Sequence, residues 1–117
     1  MAALFRRKRS KGGRLREANK ADITHLEDFA RSRRGVEGFV EPRTAVTDTT
    51  LVLVAVDGEW TRRRVPGPKF AHEFANRLGI PSYDPAVVGY PDRMRQWNAR
   101  RAKEQRLAER RRLGDSG

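Results

Sequence analysis

Residues 51–65 read LVLVAVDGEWTRRRV, and this stretch decides the fold. Its first six residues are all apolar, which is typical of a central strand that is buried on both faces. Asp57 and Gly58 follow, and such a pair between two strand-like runs is the strongest short signal for a hairpin. A two-residue loop would pair Ala55 with Trp60. The stretch therefore predicts an antiparallel hairpin at the centre of the fold.

This register also assigns side chains to the two faces of the sheet. One face would carry Leu51, Leu53, Ala55, Trp60, Arg62 and Arg64. Arg63 would lie on the opposite face with Thr61 and Val65. The three consecutive arginines therefore form no single ridge. We expect Trp60 in the core, and the alternative is that it stacks on an unpaired nucleic-acid base.

Helical patterns lie on both sides of the hairpin. Residues 21–35, ADITHLEDFARSRRG, contain Thr24 and Glu27 at the spacing of a capping box and end in a glycine. Residues 66–81, PGPKFAHEFANRLGIP, end in the stop signal Gly-Ile-Pro. Their apolar residues share one side of a helix: Phe70, Ala71, Phe74, Ala75 and Leu78.

Two more strands complete the predicted sheet. Residues 36–46, VEGFVEPRTAV, read as a strand region in which Pro42 belongs at an edge or a bulge, and a short strand fits around residues 86–88. The predicted class is α+β, with a small, mainly antiparallel sheet of three or four strands packed by two helices over residues 21–91. A basic, disordered arm over residues 1–20 precedes this domain, and a basic helix or tail over residues 92–117 follows it.

The net charge of +11 is distributed unevenly along the chain. Residues 1–20 hold eight Lys/Arg and one acid (+7), residues 21–91 hold nine and ten (−1), and residues 92–117 hold nine and four (+5). Arginine supplies 21 of the 26 basic residues, and its planar fork grips phosphate bidentately where lysine cannot. High-GC coding explains part of this arginine excess, but it does not explain why the surplus charge avoids the middle of the chain.

The C-terminal segment is predicted to be only partly attached to the domain. Residues 92–113 are rich in good helix formers. Met94 and Trp97 provide apolar side chains that can dock, whereas no apolar face continues beyond Ala99. We therefore expect the helix to project, or to become ordered against something anionic.

Several functional classes find little support in the sequence. The chain has no cysteine, which excludes disulfides and thiolate zinc sites. His25 and His72 lack partners at the spacing of a catalytic triad or a metal motif. The longest apolar run, residues 51–56, is too short to cross a bilayer, and no signal-peptide pattern opens the sequence. We therefore expect a cytoplasmic protein that is not an enzyme, with no cofactor, metal, membrane or small-molecule partner.

The two basic ends are the features that predict a function. Seven to ten phosphate contacts would make the logarithm of the affinity fall with the logarithm of the salt concentration, with a slope on the order of −6 to −9. Such contacts do not distinguish one nucleotide sequence from another. No helix-turn-helix, zinc-finger or ribonucleoprotein aromatic motif is present. RNA is preferred to DNA because disordered arginine-rich arms suit irregular RNA better than a regular duplex groove. The sequence thus favours a non-enzymatic RNA- or ribosome-associated protein with these contacts: Arg6, Arg7, Lys8, Arg9, Lys11, Arg14, Arg16, Arg62, Arg64, Lys69, Arg93, Arg95, Arg100, Arg101, Arg106, Arg110, Arg111 and Arg112.

A protein-interaction module is the alternative. In that interpretation the C-terminal helix docks on an acidic-surfaced assembly such as RNA polymerase, and Met94 and Trp97 anchor it to the partner. The sequence leaves both hypotheses open.

Across residues 41–95, about half of the chain, the sequence resembles small uncharacterised proteins of high-GC, actinobacterial bacteria. The segments that carry the resemblance are EPRTAVTDTTLVLVAVDGEWTRRRV and LGIPSYDPAVVGYPDRMR. It implies no fold, activity or site for this chain.

Overall fold

Four strands form one sheet in the computed structural model, which describes residues 19–115: β1 (Glu37–Glu41), β2 (Thr50–Val54), β3 (Trp60–Arg64) and β4 (Ser82–Tyr83). Their order across the sheet is β3-β2-β1-β4. β1 and β3 both pair antiparallel to β2, and the short β4 pairs parallel to β1. The predicted α+β class with a small, mainly antiparallel sheet is confirmed.

Four helices accompany the sheet: α1 over residues 19–32, α2 (Pro68–Arg77), α3 (Pro85–Val88) and α4 (Asp92–Asp115). Of the arm predicted over residues 1–20, residues 1–18 lie outside the described part of the chain, and residues 19 and 20 are already helical. Among the helices within residues 19–115, none has the length and the apolar character to cross a membrane.

The sheet is buried on both faces. On one face Leu51 and Leu53 pack with Leu26 and Phe29 of α1 and with Phe74 of α2. The other face carries a smaller cluster, in which α4 covers part of the sheet: Phe39, Val52, Val54 and Met94, with Trp60 and Tyr83 at its margin. Residues 51–54 are completely buried and β2 lies inside the sheet, which confirms the prediction of a central strand.

The register predicted for the hairpin is wrong by one residue. Ala55 N–H donates to the carbonyl of Glu59 over 2.8 Å, and Gly58 N–H donates to that of Ala55 over 3.0 Å, so the loop has three residues, 56–58. Gly58 takes the left-handed conformation, with φ 94°, that such a loop requires at this position. Side chains alternate between the two faces of a strand. A shift of one residue therefore places each side chain of β3 beside β2 side chains of the opposite face from the one predicted.

In the observed register, the residues of β3 that share a face pair with β2 residues other than those predicted. Trp60, Arg62 and Arg64 pair with Val54, Val52 and Thr50. Arg63 pairs with Leu51, and the following Val65 joins the cluster under α1 and α2. The grouping of Trp60, Arg62 and Arg64 on one face of β3 is as predicted, but that face is the one α4 covers and not the one under α1 and α2.

The strand predicted around residues 86–88 is also wrong. The strand is at Ser82–Tyr83, and Pro85–Val88 form the short helix α3. Asp84 is the N-cap of this helix and accepts the N–H of Ala86 over 2.9 Å. Pro85 suits the first helical position because its fixed φ is helical and its missing donor is not needed there. The Asp-Pro pair therefore specifies a helix start in a segment whose valines favour a strand.

Candidate nucleic-acid interface

Arg62, predicted to contact phosphate, is engaged by a carboxylate of its own sheet. Its Nε donates to Oε1 of Glu41 over 2.7 Å and its Nη2 donates to Oε2 over 3.1 Å, which is the bidentate arrangement. The guanidinium carbon also lies 5.3 Å from the ring centroid of Trp60. The hydrogen bond with Glu41 and its charge raise the pKa of Arg62, against the effect of burial. The guanidinium group of Arg62 is thus held against the sheet by Glu41.

Glu41 collects two further donors. Thr50 Oγ1 donates to Oε1 over 2.6 Å, and the Tyr90 hydroxyl donates to Oε2. Burial raises the pKa of Glu41, but the hydrogen bonds from Arg62, Thr50 and Tyr90 and the charge of Arg62 outweigh it, so the pKa is below its ordinary value. Burial and the hydrogen bond to Glu41 raise the pKa of Tyr90. This network fastens the segment before α4 to the sheet.

The start of α4 rests against the hairpin turn. The nearest approach is at Gly58, where an added Cβ would lie 2.0 Å from the carbonyl oxygen of Arg93 and 3.1 Å from Cβ of Trp97. Trp60 Nε1 donates to Asn98 Oδ1 over 2.8 Å. Trp60 is half-buried at the margin of the core, and its indole N–H is satisfied within the chain.

Two of the predicted phosphate contacts on α4 hold the helix to the sheet. Arg93 donates from Nε to the carbonyl of Ala55 over 2.9 Å and from Nη2 to Glu37 Oε1 over 2.5 Å. Arg100 donates from Nη2 to the carbonyl of Asp57 over 2.8 Å. We call residues 92–98 the root of α4.

The two residues predicted as docking anchors lie in this root. Met94 is only 8% exposed and packs with Val52 and Val54 of the chain's own sheet. Trp97 is half-buried, and its ring centroid lies 5.8 Å from the guanidinium carbon of Arg100. Met94 therefore has almost no surface to offer a partner.

Beyond the root, α4 leaves the domain. Every residue from 99 to 114 is exposed except the half-buried Ala102. With a rise of about 1.5 Å per residue, this portion is about 25 Å long. Its direction away from the sheet agrees with the loss of apolar residues after Ala99.

Three of the arginines on α4 pair with acids on the same helix: Arg95 with Asp92 at 2.8 Å, Arg101 with Glu104 at 3.8 Å, and Arg112 with Glu109 at 2.6 Å. Each partner is more than half exposed. Pairs of this kind contribute little to stability, about 0.3–0.5 kcal/mol, and are screened by salt. The helix thus partly neutralises these three arginines.

Other cations of α4 have no ion pair with any described residue: Lys103, Arg106, Arg110 and Arg111. Lys103, Arg106 and Arg110 fall within about 60° of one another around the helix axis, on the side opposite Met94 and Trp97. We call this set the outer face of α4. It presents positive charge on the part of the helix that extends away from the domain.

The remaining predicted contacts are spread over the chain. Lys69 is exposed in the first turn of α2, where the N-cap Gly67 provides no side-chain hydrogen bond, and it has no ion pair with a described residue. Arg64 lies 3.7 Å from Asp48, with both side chains more than 60% exposed. The seven contacts predicted in the N-terminal arm, from Arg6 to Arg16, lie outside residues 19–115.

The two histidines form hydrogen bonds to hydroxyl groups. His25 Nε2 lies 2.7 Å from Thr61 Oγ1, and His72 Nδ1 lies 2.6 Å from Ser82 Oγ. Burial and the charges of Arg63 and Arg33 lower the pKa of His25. Within residues 19–115, no three His, Cys, Asp or Glu side chains are grouped so that they could hold a metal ion.

Sequence reasoning missed Arg43 as a neighbour of Arg64. Both side chains line one cavity at the end of the sheet. The pairing of Glu41 with Thr50, and of Thr50 with Arg64, brings the ends of the 42–49 loop beside the end of β3. The correct hairpin register was therefore the signal that could have found this pair.

Comparisons of the chain with models of protein families, with curated proteins and with solved structures find no match.

Proposed function

We propose that this protein binds RNA, on the ribosome or free, through arginine-rich ends carried by an almost neutral α+β domain, and that it catalyses no reaction. The observation that carries the proposal is the outer face of α4. Lys103, Arg106 and Arg110 are exposed, lie on one side of a projecting helix, and have no ion pair with a described residue. Unpaired ammonium and guanidinium groups at this spacing suit the phosphates of a nucleic-acid backbone.

The division of labour among the arginines supports this proposal. Arg62, Arg93 and Arg100 make short hydrogen bonds inside the domain, so their charge is used in folding. The outer face of α4 has no such role in the fold. Residues 1–20 add eight Lys/Arg against one acid. We propose that these two sets of cations contact phosphate and that the protein works in the cytoplasm with its RNA partner.

Ribosome sedimentation tests the proposal. The full chain should move with ribosomes at about 50 mM KCl and be released at about 500 mM, because each phosphate contact displaces counterions. Free migration at both salt concentrations would exclude the ribosome as the partner. If the full chain also failed to bind a labelled single-stranded RNA at about 50 mM KCl, the proposal would be overturned.

A matched pair of double variants then tests the outer face. R106Q/R110Q removes two unpaired charges, and R101Q/R112Q removes two charges that pair with acids on another side of the same helix. We expect affinity for a labelled single-stranded RNA to fall about tenfold in the first variant and less than threefold in the second. Equal losses would show that only net charge matters, and would contradict a role for this face.

Docking on an acidic protein surface, such as that of RNA polymerase, remains the second proposal. The observation in its favour is Leu107, a 41% exposed apolar residue among the cations of the projecting helix. A pull-down with and without nuclease separates the two. Loss of the partner after nuclease supports RNA binding, whereas a protein that stays bound to the wild type and is lost from Leu107→Gln supports protein docking.

A further inference from the structure

A cavity of about 230 Å³ opens where the β1–β2 loop meets the end of β3. Arg43 and Arg64 line it together with Asp48 and Asn19, and Val65 and Pro66 form its apolar wall. The cavity is separate from the outer face of α4, since no residue of that helix lines it.

The fold brings the two arginines to this cavity from the β1–β2 loop and from β3. Arg43 comes two residues after the end of β1, and Arg64 is the last residue of β3. A turn stabilises the β1–β2 loop that carries Arg43. In this turn Thr44 N–H donates to the carbonyl of Thr47 over 2.9 Å, and Thr47 N–H donates to Thr44 Oγ1 over 3.0 Å. Arg43 and Asp48 flank this turn directly, so its hydrogen bonds limit where their side chains can reach.

The cavity lining carries two positive charges and one negative charge. Arg43 has no ion pair with a described residue. The contact between Arg64 and Asp48 is 3.7 Å, longer than a hydrogen bond, and the two side chains are 61% and 66% exposed. Such a pair binds weakly and exchanges readily for a stronger anion. One carboxylate thus offsets two arginines in the cavity lining.

We propose that this cavity binds a phosphate group of RNA through Arg43 and Arg64. The proposal rests on the proposed function and deepens it, because it gives the folded domain a phosphate site of its own. Two guanidinium forks, one from a loop and one from a strand, can both donate to one tetrahedral anion, which adds geometric definition to the charge. Asn19 on the cavity wall directly follows the cationic residues 1–18 in the sequence.

Single variants that each remove one positive charge test the site. Arg43→Gln and Arg64→Gln should each weaken the binding of a labelled single-stranded RNA about fivefold and reduce the magnitude of its log–log salt slope by about one. Arg77→Gln is the matched control, because Arg77 is an exposed arginine at the far end of α2, and it should change affinity less than twofold. Asp48→Asn should tighten binding about twofold to threefold, because it removes the competing carboxylate.

The side-chain Nε–H resonances of the arginines provide a readout that does not depend on RNA. In a titration with inorganic phosphate, we expect the resonances of Arg43 and Arg64 to shift together and that of Arg77 to stay in place. If the wild type binds RNA but R43Q and R64Q match R77Q, the cavity proposal is overturned and RNA binding stands. If the wild type binds no RNA, the proposed function is overturned, and shifts of Arg43 and Arg64 with phosphate alone would identify an anion site of another kind.

Discussion

Gly58 is the residue on which the packing of α4 most depends. It adopts φ 94°, a left-handed conformation in which an L side chain is strained, and its Cα faces the carbonyl of Arg93. A side chain here would conflict with the backbone of the helix, which cannot move aside as a flexible side chain can. The turn must therefore carry glycine for two separate reasons.

Substitutions of glycines separate these two reasons. Gly79 has φ 69° but nothing within 4 Å of an added Cβ, so Gly79→Ala reports the backbone strain alone, about 1–2 kcal/mol. Gly58→Ala adds the conflict with Arg93 and should cost about 3–4 kcal/mol in the free energy of unfolding, measured by urea denaturation. Equal losses in the two variants would show that α4 does not press on the turn.

Glu41 makes a pH-dependent contribution to stability. Its pKa in the folded chain is below its ordinary value, so protonation favours the unfolded state. The stabilisation from Glu41 is fully present above pH about 5, where the carboxyl is ionised in both the folded and the unfolded chain. It is lost as the pH falls from about 4.5 toward the lower pKa of the folded chain. Glu41→Gln should therefore cost about 1 kcal/mol at pH 7, kept small because Arg62 is 43% exposed.

Urea denaturation at a series of pH values from about 7 to about 3.5 checks this. The difference between the wild type and Glu41→Gln should shrink below pH about 4.5. Glu73→Gln is the control, because Glu73 is exposed on α2 and has no ion pair with a described residue. A Glu41→Gln difference that stays constant down to pH about 3.5 would contradict the hydrogen-bonded network.

At the scale of elements, the sequence was a better guide to where strands and helices lie than to how they pair. The apolar run of β2 and the stripe of α2 are local patterns, and both were predicted correctly. The length of the hairpin loop was not, because Asp-Gly is compatible with both two and three residues. The observed loop fits a contact between Gly58 and Arg93, which lies 35 residues later in the chain. No local pattern contains that information.

The same limit applies to the arginines of the candidate site. A run of basic residues predicts phosphate contacts for all of them alike, yet Arg93 and Arg62 bind Glu37 and Glu41 of the sheet. These carboxylates are distant in sequence and become neighbours only through the sheet register. On α4 itself the pairing was readable, since Arg101 and Glu104, and Glu109 and Arg112, stand three residues apart.

The helix α4 consists of two parts with different roles in stability. Its root contributes Met94 to the core, so Met94→Ala should cost about 2–4 kcal/mol in the free energy of unfolding. Deleting residues 99–117 removes the hydrogen bond from Arg100 to the carbonyl of Asp57 and should cost about 1 kcal/mol in the free energy of unfolding. Thermal and urea denaturation of the two variants check the contrast. Unfolding of the truncated chain under native conditions would show that the projecting part supports the fold.

For the whole molecule, folding and binding draw on different charges. Residues 21–91 are nearly neutral, and the surplus is at the ends. Within the described chain, Arg62 and Arg93 make short hydrogen bonds to carboxylates of the sheet, whereas Lys103, Arg106 and Arg110 lie beyond the root of α4 and have no ion pair with a described residue. Since net charge of one sign destabilises a compact state by self-repulsion, placing the surplus on the projecting helix limits that cost. The same placement leaves those charges accessible to a polyanion.

This separation predicts how the salt dependence of RNA binding responds to truncation. Residues 99–117 carry seven Lys/Arg and three acids, so their deletion lowers the net charge from +11 to +7. If both ends contact phosphate, the log–log slope should fall from on the order of −6 to −9 in the full chain to about half that magnitude. Fluorescence anisotropy across a salt series measures it, with the denaturation curve of the truncated chain as a control for folding. An unchanged slope in a folded truncated chain would exclude α4 from the interface, because lost phosphate contacts must reduce the number of counterions released.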